Sequence, residues 1–242
     1  MLLIHLIGAI DGNTTGYGIH TRGFWSALTR SRTADLHCLF TDLKKPEEIK
    51  RNAASCRAFP GRVVHIWLQV GPGDEVLQHF AGERVAYTMF ETDALPDGWA
   101  SRLERADRVF TPSAWGRQIM IDHGVSAERV HVVPAGVERT WFTPWGPKLR
   151  ELESPAFKFL MVGAFQTRKG YAELFTAFRQ AFGERSDVEL IVKADAFATP
   201  AANHKHRALI LASAPRQTRI VQGGLDDAGI AACRRSRRPA LF

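Results

Sequence analysis

The sequence carries its clearest pattern at residues 157–182, which read FKFLMVGAFQTRKGYAELFTAFRQAF. The apolar run 157–162 has the length of a buried strand, and Gly163 ends it. Apolar side chains then recur every three or four residues from Tyr171 to Phe182, which predicts one face of an amphipathic helix. The polar loop between this strand and this helix carries two cations and a glycine: Arg168, Lys169 and Gly170.

A strand, a tight basic loop and a helix in this order allow two interpretations. In the first, backbone N–H groups and the two cations point at one small volume beyond the carboxyl end of the strand, which suits a phosphate. In the second, the segment is an ordinary βα unit whose Arg168 and Lys169 are simply solvated. The spacing alone does not separate them, and both stay open at this point.

The same segment resembles the opening of the second domain in the retaining GT-B glycosyltransferases of family 4. Members of that family carry a strand, Gly-Arg, a few residues, Lys-Gly and a long helix, and the Arg and Lys hold the diphosphate of a nucleotide-sugar donor. Lys169 and Gly170 match the end of this motif, whereas Ala164 stands where the family has Arg after Gly163. The resemblance therefore implies donor diphosphate binding by Gly163 and Lys169, with Arg168 supplying the missing cation.

Length and composition fit a globular α/β protein. A chain of 242 residues can form one large domain or two small ones, and 45% apolar with 24% charged residues argues against disordered and fibrous classes. No apolar run reaches the roughly 18 residues that a membrane-spanning helix needs. The apolar start, residues 1–10, has no basic leader and predicts a first strand rather than a secretory signal. Cys38, Cys56 and Cys233 have no paired spacing, which indicates reduced, cytosolic thiols.

The net charge of +7 belongs mainly to the end of the chain. Four arginines lie within the last ten residues, and without them the balance is 7 − 4 = +3. A basic tail without aromatic or helical context does not predict nucleic-acid binding. A basic surface is compatible with peripheral contact at the inner face of a membrane, so we expect a cytoplasmic protein with that option.

The first half of the chain alternates between strands and helical segments, which predicts a parallel, doubly wound sheet. The expected strands cover residues 2–7, 35–40, 63–68 and 84–88. A glycine-rich segment follows the first strand, and a helix is predicted from about His20 to Arg30. In family 4 a Gly-x-Gly loop lines the cleft at this place, and Gly16 and Gly18 match it.

Two carboxylates follow the strand at 84–88, where an α/β sheet presents the carboxyl ends that bind ligands. Glu91 and Asp93 could bind hydroxyl groups or act as a base, which makes them the candidate catalytic residues. Equally, Asp93 could cap a turn before Pro96, and Glu91 could pair with a cation. The loop resembles a subset of family 4, although Phe90 stands where many members have a His that contacts the donor sugar.

Residues 105–144 closely resemble the segment that ends the first domain of the family. The matching positions are Pro112, Ser113, Gly124, Val125, Pro134, Gly136, Val137, Phe142 and Pro144. The resemblance implies an α/β fold of the GT-B type, with two Rossmann-like doubly wound parallel-sheet domains of which the second is incomplete. We expect an acceptor-side domain at 1–144, a linker at 145–155 and a partial nucleotide-sugar domain at 156–242 that ends in the basic tail.

The resemblance extends to about residue 232, and the Gly-rich loop and acidic motif that follow in the family are missing. We therefore expect a C-terminally truncated form, either a frameshift or a natural short form. The implied function is a hexosyltransferase-like transferase that moves a sugar from a nucleotide-diphosphate sugar, with retention, to an unknown glycan, lipid or small molecule. We expect truncation to impair this activity, and the alternative is a non-catalytic remnant that acts as a binding or interaction domain. No cofactor and no metal are expected, and His204 and His206 around Lys205 do not form a plausible metal site.

Overall fold

The computed structural model describes residues 1–10, 16–31, 33–194, 208–221 and 225–236. The chain divides into two compact units, Met1–Val137 and Glu138–Phe242. The division lies before the expected domain end at residue 144, and residues 138–155 belong to the second unit.

The first unit is built on a six-stranded parallel sheet. Its strands, in the spatial order β2-β1-β3-β4-β5-β6, are β1 (Leu2–Gly8), β2 (Leu36–Asp42), β3 (Arg62–Leu68), β4 (Glu83–Tyr87), β5 (Arg108–Thr111) and β6 (Val130–Val132). The helices between them are α1 (Gly16–Arg30), α2 (Pro46–Ala58), α3 (Asp74–Leu77), α4 (Trp99–Leu103) and α5 (Ala114–Asp122). The strand order reverses between β1 and β3, and ligands of open α/β sheets bind at the carboxyl ends of strands beside such a reversal. The parallel, doubly wound sheet expected from the sequence is therefore confirmed.

Both faces of this sheet are covered. On the face towards α1, the buried side chains are Leu6, Val64, Ile66, Leu68, Val85 and Tyr87. On the opposite face they are Ile7, Ala53, Trp67, Leu77 and Phe80. Strands buried on both faces explain why the sequence shows continuous apolar runs instead of strict alternation.

Helix α5 forms where its signals predict it. The Ser113 hydroxyl accepts a hydrogen bond from the Gly116 N–H at 3.0 Å, which satisfies one of the free donors of the first turn. Beyond the helix, Gly124 has a φ of +94°, a left-handed conformation that favours glycine. Both ends of α5 are thus fixed by local chemistry.

Helix α1 begins at Gly16, four residues before the expected start near His20. The prediction was wrong: the glycines were assigned to a loop that approaches a ligand closely, and glycine also has a low preference for helices. Packing overrides this preference: Thr21 is fully buried against the end of β1. A Cβ atom on Gly8 would lie 2.9 Å from Thr21 Cγ2 and 3.1 Å from the Leu68 carbonyl oxygen. Gly8 therefore permits the close approach of α1 to the sheet.

The second unit contains a smaller parallel sheet in the order β7-β8-β9. Its strands are β7 (Phe157–Val162), β8 (Val188–Lys193) and β9 (Thr218–Val221), and its helices are α6 (Tyr171–Phe182) and α7 (Asp227–Ser236). Residues 208–212 are also helical, and short 3-10 turns cover Arg150–Leu152 and Thr167–Lys169. Across the described parts of both units, no helix is long and apolar enough to cross a membrane.

Helix α7 gives structure to two segments that were expected to be irregular. The helix continues through Arg234 and Arg235 to Ser236, beyond the point where the sequence pattern was thought to stop. Arg235 donates hydrogen bonds to the carbonyl oxygens of Trp141 at 2.9 Å and Pro147 at 2.8 Å. The residues expected to form a linker, 145–155, are therefore held within the second unit. Arg237 and Arg238 lie outside the described residues.

Candidate functional site

The end of β7 is joined to the first turn of α6 by two hydrogen bonds. The Gly163 N–H donates to the Lys193 carbonyl oxygen at 3.0 Å, which continues the β7–β8 ladder by one residue. The Tyr171 hydroxyl donates to the Gly163 carbonyl oxygen at 2.7 Å. Burial raises the pKa of Tyr171 to about 12, so the hydroxyl keeps its proton at neutral pH. The loop between the two elements is thus fixed at both ends.

The 3-10 turn at Thr167–Lys169 leads the loop into the start of α6. The Lys169 N–H donates to the Gln166 carbonyl oxygen at 2.9 Å. Gly170 then adopts the left-handed conformation with a φ of +69°, and α6 begins at the next residue. The first N–H groups of an α-helix have no partner within the helix, and they form a partial positive charge at its N-terminus. The start of α6 is therefore suited to an anion.

Lys169 lies beside Gly163, as the sequence motif predicts for a phosphate-binding loop. Its Cδ is 3.9 Å from the place where a Cβ on Gly163 would lie, and its side chain is half-buried. Among the residues that the structure describes, the Lys169 ammonium makes no ion pair and no hydrogen bond. An ammonium in this setting is available to a bound anion. Its role as a diphosphate ligand stays a prediction.

Arg168 and Glu173 modify the charge around this loop. Arg168 is exposed, and its Nε donates to the Gln166 side-chain oxygen at 3.1 Å. Glu173 lies in the first turn of α6, with its Oε2 3.6 Å from the place of a Cβ on Gly170. A carboxylate there opposes anion binding, so the attraction depends on the helix N-terminus and Lys169. The prediction that Arg168 supplies a second cation stays untested by this geometry.

In the first unit, Tyr17 connects α1 to the segment after β4. Its hydroxyl donates to the Met89 carbonyl oxygen and accepts from the Met89 N–H, both at 2.8 Å. Burial raises the pKa of Tyr17, and the charge of Glu91 adds to this effect, while hydrogen bonds with Thr88 and Met89 oppose it. Glu91 therefore lies close enough to Tyr17 for the two groups to interact electrostatically.

Glu91 and Asp93 are both exposed in the turn after β4, at the carboxyl edge of the sheet. The hydrogen bond that closes this turn comes from the Thr92 hydroxyl, which donates to the Ala94 carbonyl oxygen at 2.6 Å. Helix α4 begins after Gly98, which has a φ of +76° and offers no side-chain cap. The hydrogen bond observed within this turn thus comes from the Thr92 hydroxyl, and the side chains of Glu91 and Asp93 are exposed to solvent. Catalytic roles for Glu91 and Asp93 stay predictions.

The glycine pair predicted to line a cleft loop belongs to the first turn of α1. Gly16 is exposed with open space where a Cβ would lie, whereas Gly18 is buried. The placement of Gly16 and Gly18 in a loop was therefore wrong, although their predicted proximity to a ligand is not tested. The preceding residues 11–15 lie outside the described part of the chain.

Sequence reasoning missed two polar residues at the inner side of α1, Tyr17 and His20. The Nε2 atom of His20 is buried and has no hydrogen-bond partner within the described residues. Its ring contacts Tyr87 edge-on at 5.0 Å, and burial lowers its pKa. An aromatic residue between Gly16 and Gly18 was the available signal for Tyr17. For His20, the only sequence signal was its position at the start of the predicted helix.

Comparisons with known proteins show what the fold is similar to. No family model and no curated protein matches the sequence. Among solved structures, HepE of Anabaena in complex with UDP and glucose aligns over 96% of this chain and 72% of its own, at 13% identity and a TM-score of 0.64. OtsA, a trehalose-6-phosphate synthase, aligns over 96% of this chain and 76% of its own, at 12% identity and a TM-score of 0.65. The lipopolysaccharide outer core galactosyltransferase WaaB aligns over 91% and 67%, at 11% identity and a TM-score of 0.52.

The chain has the GT-B fold. This confirms the expected fold class, and the expectation of a partial second domain stays a prediction. In each unit of this GT-B chain, the residues of interest follow the carboxyl ends of parallel strands, Gly163 after β7 and Glu91 after β4.

Within the described residues, the group of side chains that could hold a metal ion lies apart from the loops after β4 and β7. His204 and His206 lie outside the described residues. Within the described residues, the three side chains that could together hold a metal ion are His5, Cys56 and His65, and all are buried. Burial lowers the pKa of His5 to about 3, and the neighbouring His65 adds to this effect. Cys38, Cys56 and Cys233 are unpaired in the structure.

Proposed function

We propose that this chain descends from, and acts as, a nucleotide-sugar-dependent glycosyltransferase of the retaining GT-B type of family 4. The proposal rests on one observation: a half-buried Lys169 without a described partner lies beside Gly163, where β7 ends and α6 begins. The fold supports it, because HepE was solved with UDP and glucose and with UDP-glucose. The sugar donor is therefore taken to be a nucleoside diphosphate sugar.

In the proposed reaction, the diphosphate binds at the N-terminus of α6. The free N–H groups of the helix and the Lys169 ammonium neutralise the charge that grows on the diphosphate as the sugar–oxygen bond breaks. Arg168 adds a second, exposed cation to this loop. Because such stabilisation is strongest when the charge is fully developed, it favours the transition state over the bound donor. The transfer uses no metal ion and takes place in the cytoplasm.

The first unit is assigned to the acceptor. Glu91 and Asp93 are exposed beyond the carboxyl end of β4, where their carboxylates can accept hydrogen bonds from sugar hydroxyls. Tyr17 fixes the backbone of the adjoining segment through Met89. The acceptor is a glycan, a lipid or a small molecule that carries a free hydroxyl group.

Calorimetric titration of the purified chain with UDP, GDP and ADP tests the donor site. We expect one nucleoside diphosphate to bind, and Lys169→Ala to weaken its binding by about 10- to 100-fold, which corresponds to a lost charge-assisted hydrogen bond. Lys169→Arg should keep most of the affinity because it keeps the cation. The matched control is Lys148→Ala, which removes an exposed lysine from the same unit.

Transfer is tested by incubation with a panel of nucleotide sugars and analysis of the released nucleotide and the glycosylated product. Glu91→Gln and Asp93→Asn should lower turnover while leaving the affinity for the nucleoside diphosphate unchanged. An inverted anomeric configuration in the product would contradict the retaining mechanism. Binding without transfer would identify the chain as a non-catalytic binding remnant, and identical affinity in wild type and Lys169→Ala would refute the donor site.

A further inference from the structure

Three side chains with metal-ligating atoms meet in the interior of the first unit. His5 lies in β1, His65 lies opposite it in β3, and Cys56 lies in α2. His5 Nδ1 is 3.0 Å from His65 Nδ1 and 3.6 Å from Cys56 Sγ. The three ligand atoms lie within 4.8 Å of one another, and all three side chains are buried. Three separate elements thus direct one donor atom each at a common point.

Both imidazole rings are held in place from their far side. His5 Nε2 is 2.6 Å from the Thr41 hydroxyl, and His65 Nε2 is 2.9 Å from the Ala81 carbonyl oxygen. The Phe80 ring lies against both imidazoles, with centroid distances of 4.8 and 4.9 Å. In protein metal sites, the second nitrogen of a ligating histidine usually binds a carbonyl, a carboxylate or a similar group in this way.

Without an ion, the hydrogen bonds define one proton arrangement. The Ala81 carbonyl can only accept, so His65 carries its proton on Nε2 and offers the lone pair of Nδ1. His5 then donates its Nδ1 proton to His65 Nδ1 and accepts at Nε2 from the Thr41 hydroxyl. The Asn52 amide donates to Thr41 Oγ1 at 2.8 Å and completes the chain of bonds. For a metal ion to bind here, only two protons must leave their atoms: the proton on His5 Nδ1 and the proton of the Cys56 thiol.

The spacing of the donor atoms agrees with coordination of a single ion. For an ion about 2.0–2.1 Å from each nitrogen and about 2.3 Å from the sulfur, tetrahedral angles put the nitrogens about 3.3 Å apart and nitrogen and sulfur about 3.6 Å apart. The corresponding distances from His5 Nδ1 are 3.0 Å to His65 and 3.6 Å to Cys56. The third pair, His65 and Cys56, lies within 4.8 Å. To hold one ion, the two rings would have to separate by a few tenths of an ångström, and the Cys56 sulfur would have to approach His65 by up to about 1 Å.

We propose that His5, Cys56 and His65 form a site for one soft metal ion, and that the ion is monovalent Cu(I). The ligand set contains one thiolate and no carboxylate, so a divalent ion would leave a buried net charge of +1, which is costly in the interior. A monovalent ion bound to one thiolate gives a neutral site, and thiolate with imidazole suits Cu(I). On binding, the Cys56 thiol releases its proton to solvent, and the His5 ring proton moves from Nδ1 to Nε2. His5 Nε2–H then donates a hydrogen bond to Thr41 Oγ1, whose own hydroxyl proton turns away from the ring. No oxidation or reduction takes place.

The test uses the purified chain, reduced and kept free of oxygen, and titrated with Cu(I) in competition with a coloured Cu(I) chelator. Because the site is buried, a second sample is refolded from urea with Cu(I) present. We expect one Cu(I) per chain and one proton released per ion, the latter measured by calorimetry in buffers of different ionisation enthalpy. A parallel titration with Zn²⁺ should show weaker binding.

Variants assign the ion to this cluster. Cys56→Ala and His65→Gln should each weaken Cu(I) binding by more than about 100-fold, and Thr41→Val, which only orients His5, by about 10-fold. Cys38→Ser is the matched control and should bind as wild type does, because Cys38 is not part of the cluster. Circular dichroism without metal identifies any variant that fails to fold, and the remaining ligand variant then decides. No binding by either loading route, or unchanged binding in a folded ligand variant, would refute the site, and tighter Zn²⁺ binding would refute the monovalent ion.

Discussion

The contact between Gly8 and Thr21 yields the sharpest stability prediction. In Gly8→Ala, the new Cβ would lie 2.9 Å from Thr21 Cγ2 and 3.1 Å from the Leu68 carbonyl oxygen. Both neighbours are buried, so relief of the strain requires Thr21 in α1 to move and the paired ends of β1 and β3 to adjust around the Leu68 carbonyl. Overpacking of a well-packed interior costs about 1–3 kcal/mol, and we expect Gly8→Ala to lower the free energy of unfolding by that amount.

A second glycine of the same region provides an internal control with the opposite sign. Gly23 lies within α1, and a Cβ there would have open space around it. Replacing a helical glycine by alanine under these conditions should stabilise the protein by about 0.5–1 kcal/mol. Gly8→Ala and Gly23→Ala should therefore change the free energy of unfolding in opposite directions, although both replace glycine by alanine.

A double-mutant cycle measures the contact itself by urea unfolding followed by circular dichroism. Thr21→Ala removes the Cγ2 and Oγ1 atoms, which lie 2.9 and 3.2 Å from the added Cβ, whereas the contact with Leu68 O at 3.1 Å remains. We expect the combined variant to be more stable than the sum of the single effects by about 1 kcal/mol or more. Additivity within about 0.5 kcal/mol would refute the close packing of α1 on the end of β1.

Three further predictions follow from individual contacts. Gly170→Ala should destabilise the second unit by about 1–2 kcal/mol in thermal unfolding, because an L-residue is strained at a φ of +69°. Gly170→Asn should destabilise it less, since asparagine tolerates this conformation better. Tyr17→Phe leaves the Met89 N–H without its hydroxyl partner, and urea unfolding should show a loss of about 1–3 kcal/mol. Hydrogen bonds from two arginines lower the pKa of Glu83, so its stabilisation is present above the ordinary value of 4.5 and is lost as pH falls below it. Glu83→Gln should therefore flatten the acid limb of the stability profile, and an unchanged limb would contradict the assignment.

The regular elements could be predicted because their signals are local. Apolar runs located β1, β3 and β7, and Ser113 with Gly124 marked the two ends of α5. Period and capping depend on residues within one or two turns of each other, so a single sequence contains them.

Helix α7 shows why a charged segment is harder to interpret. The run from Cys233 to Arg238 was interpreted as a basic tail because its arginines break the amphipathic pattern. In the structure, the buried side chains of this helix are all small: Ala231, Ala232, Cys233 and Ser236. The Arg235 guanidinium contacts backbone carbonyls that are 88 and 94 residues away in sequence. Partners at that distance leave no periodic signal.

The two candidate sites differ in how far the sequence could reveal them. Gly163 and Lys169 are six residues apart on consecutive elements, so a strand-loop-helix pattern was enough to expect their proximity. His5 and His65 face each other only because β1 pairs directly with β3 in a register that aligns Leu2 with Arg62. Apolar periodicity predicts that both strands exist, but neither their adjacency nor their register. Once that register is fixed, a one-residue slip would turn one histidine to the opposite face of the sheet, so the proposed Cu(I) site depends directly on the strand order.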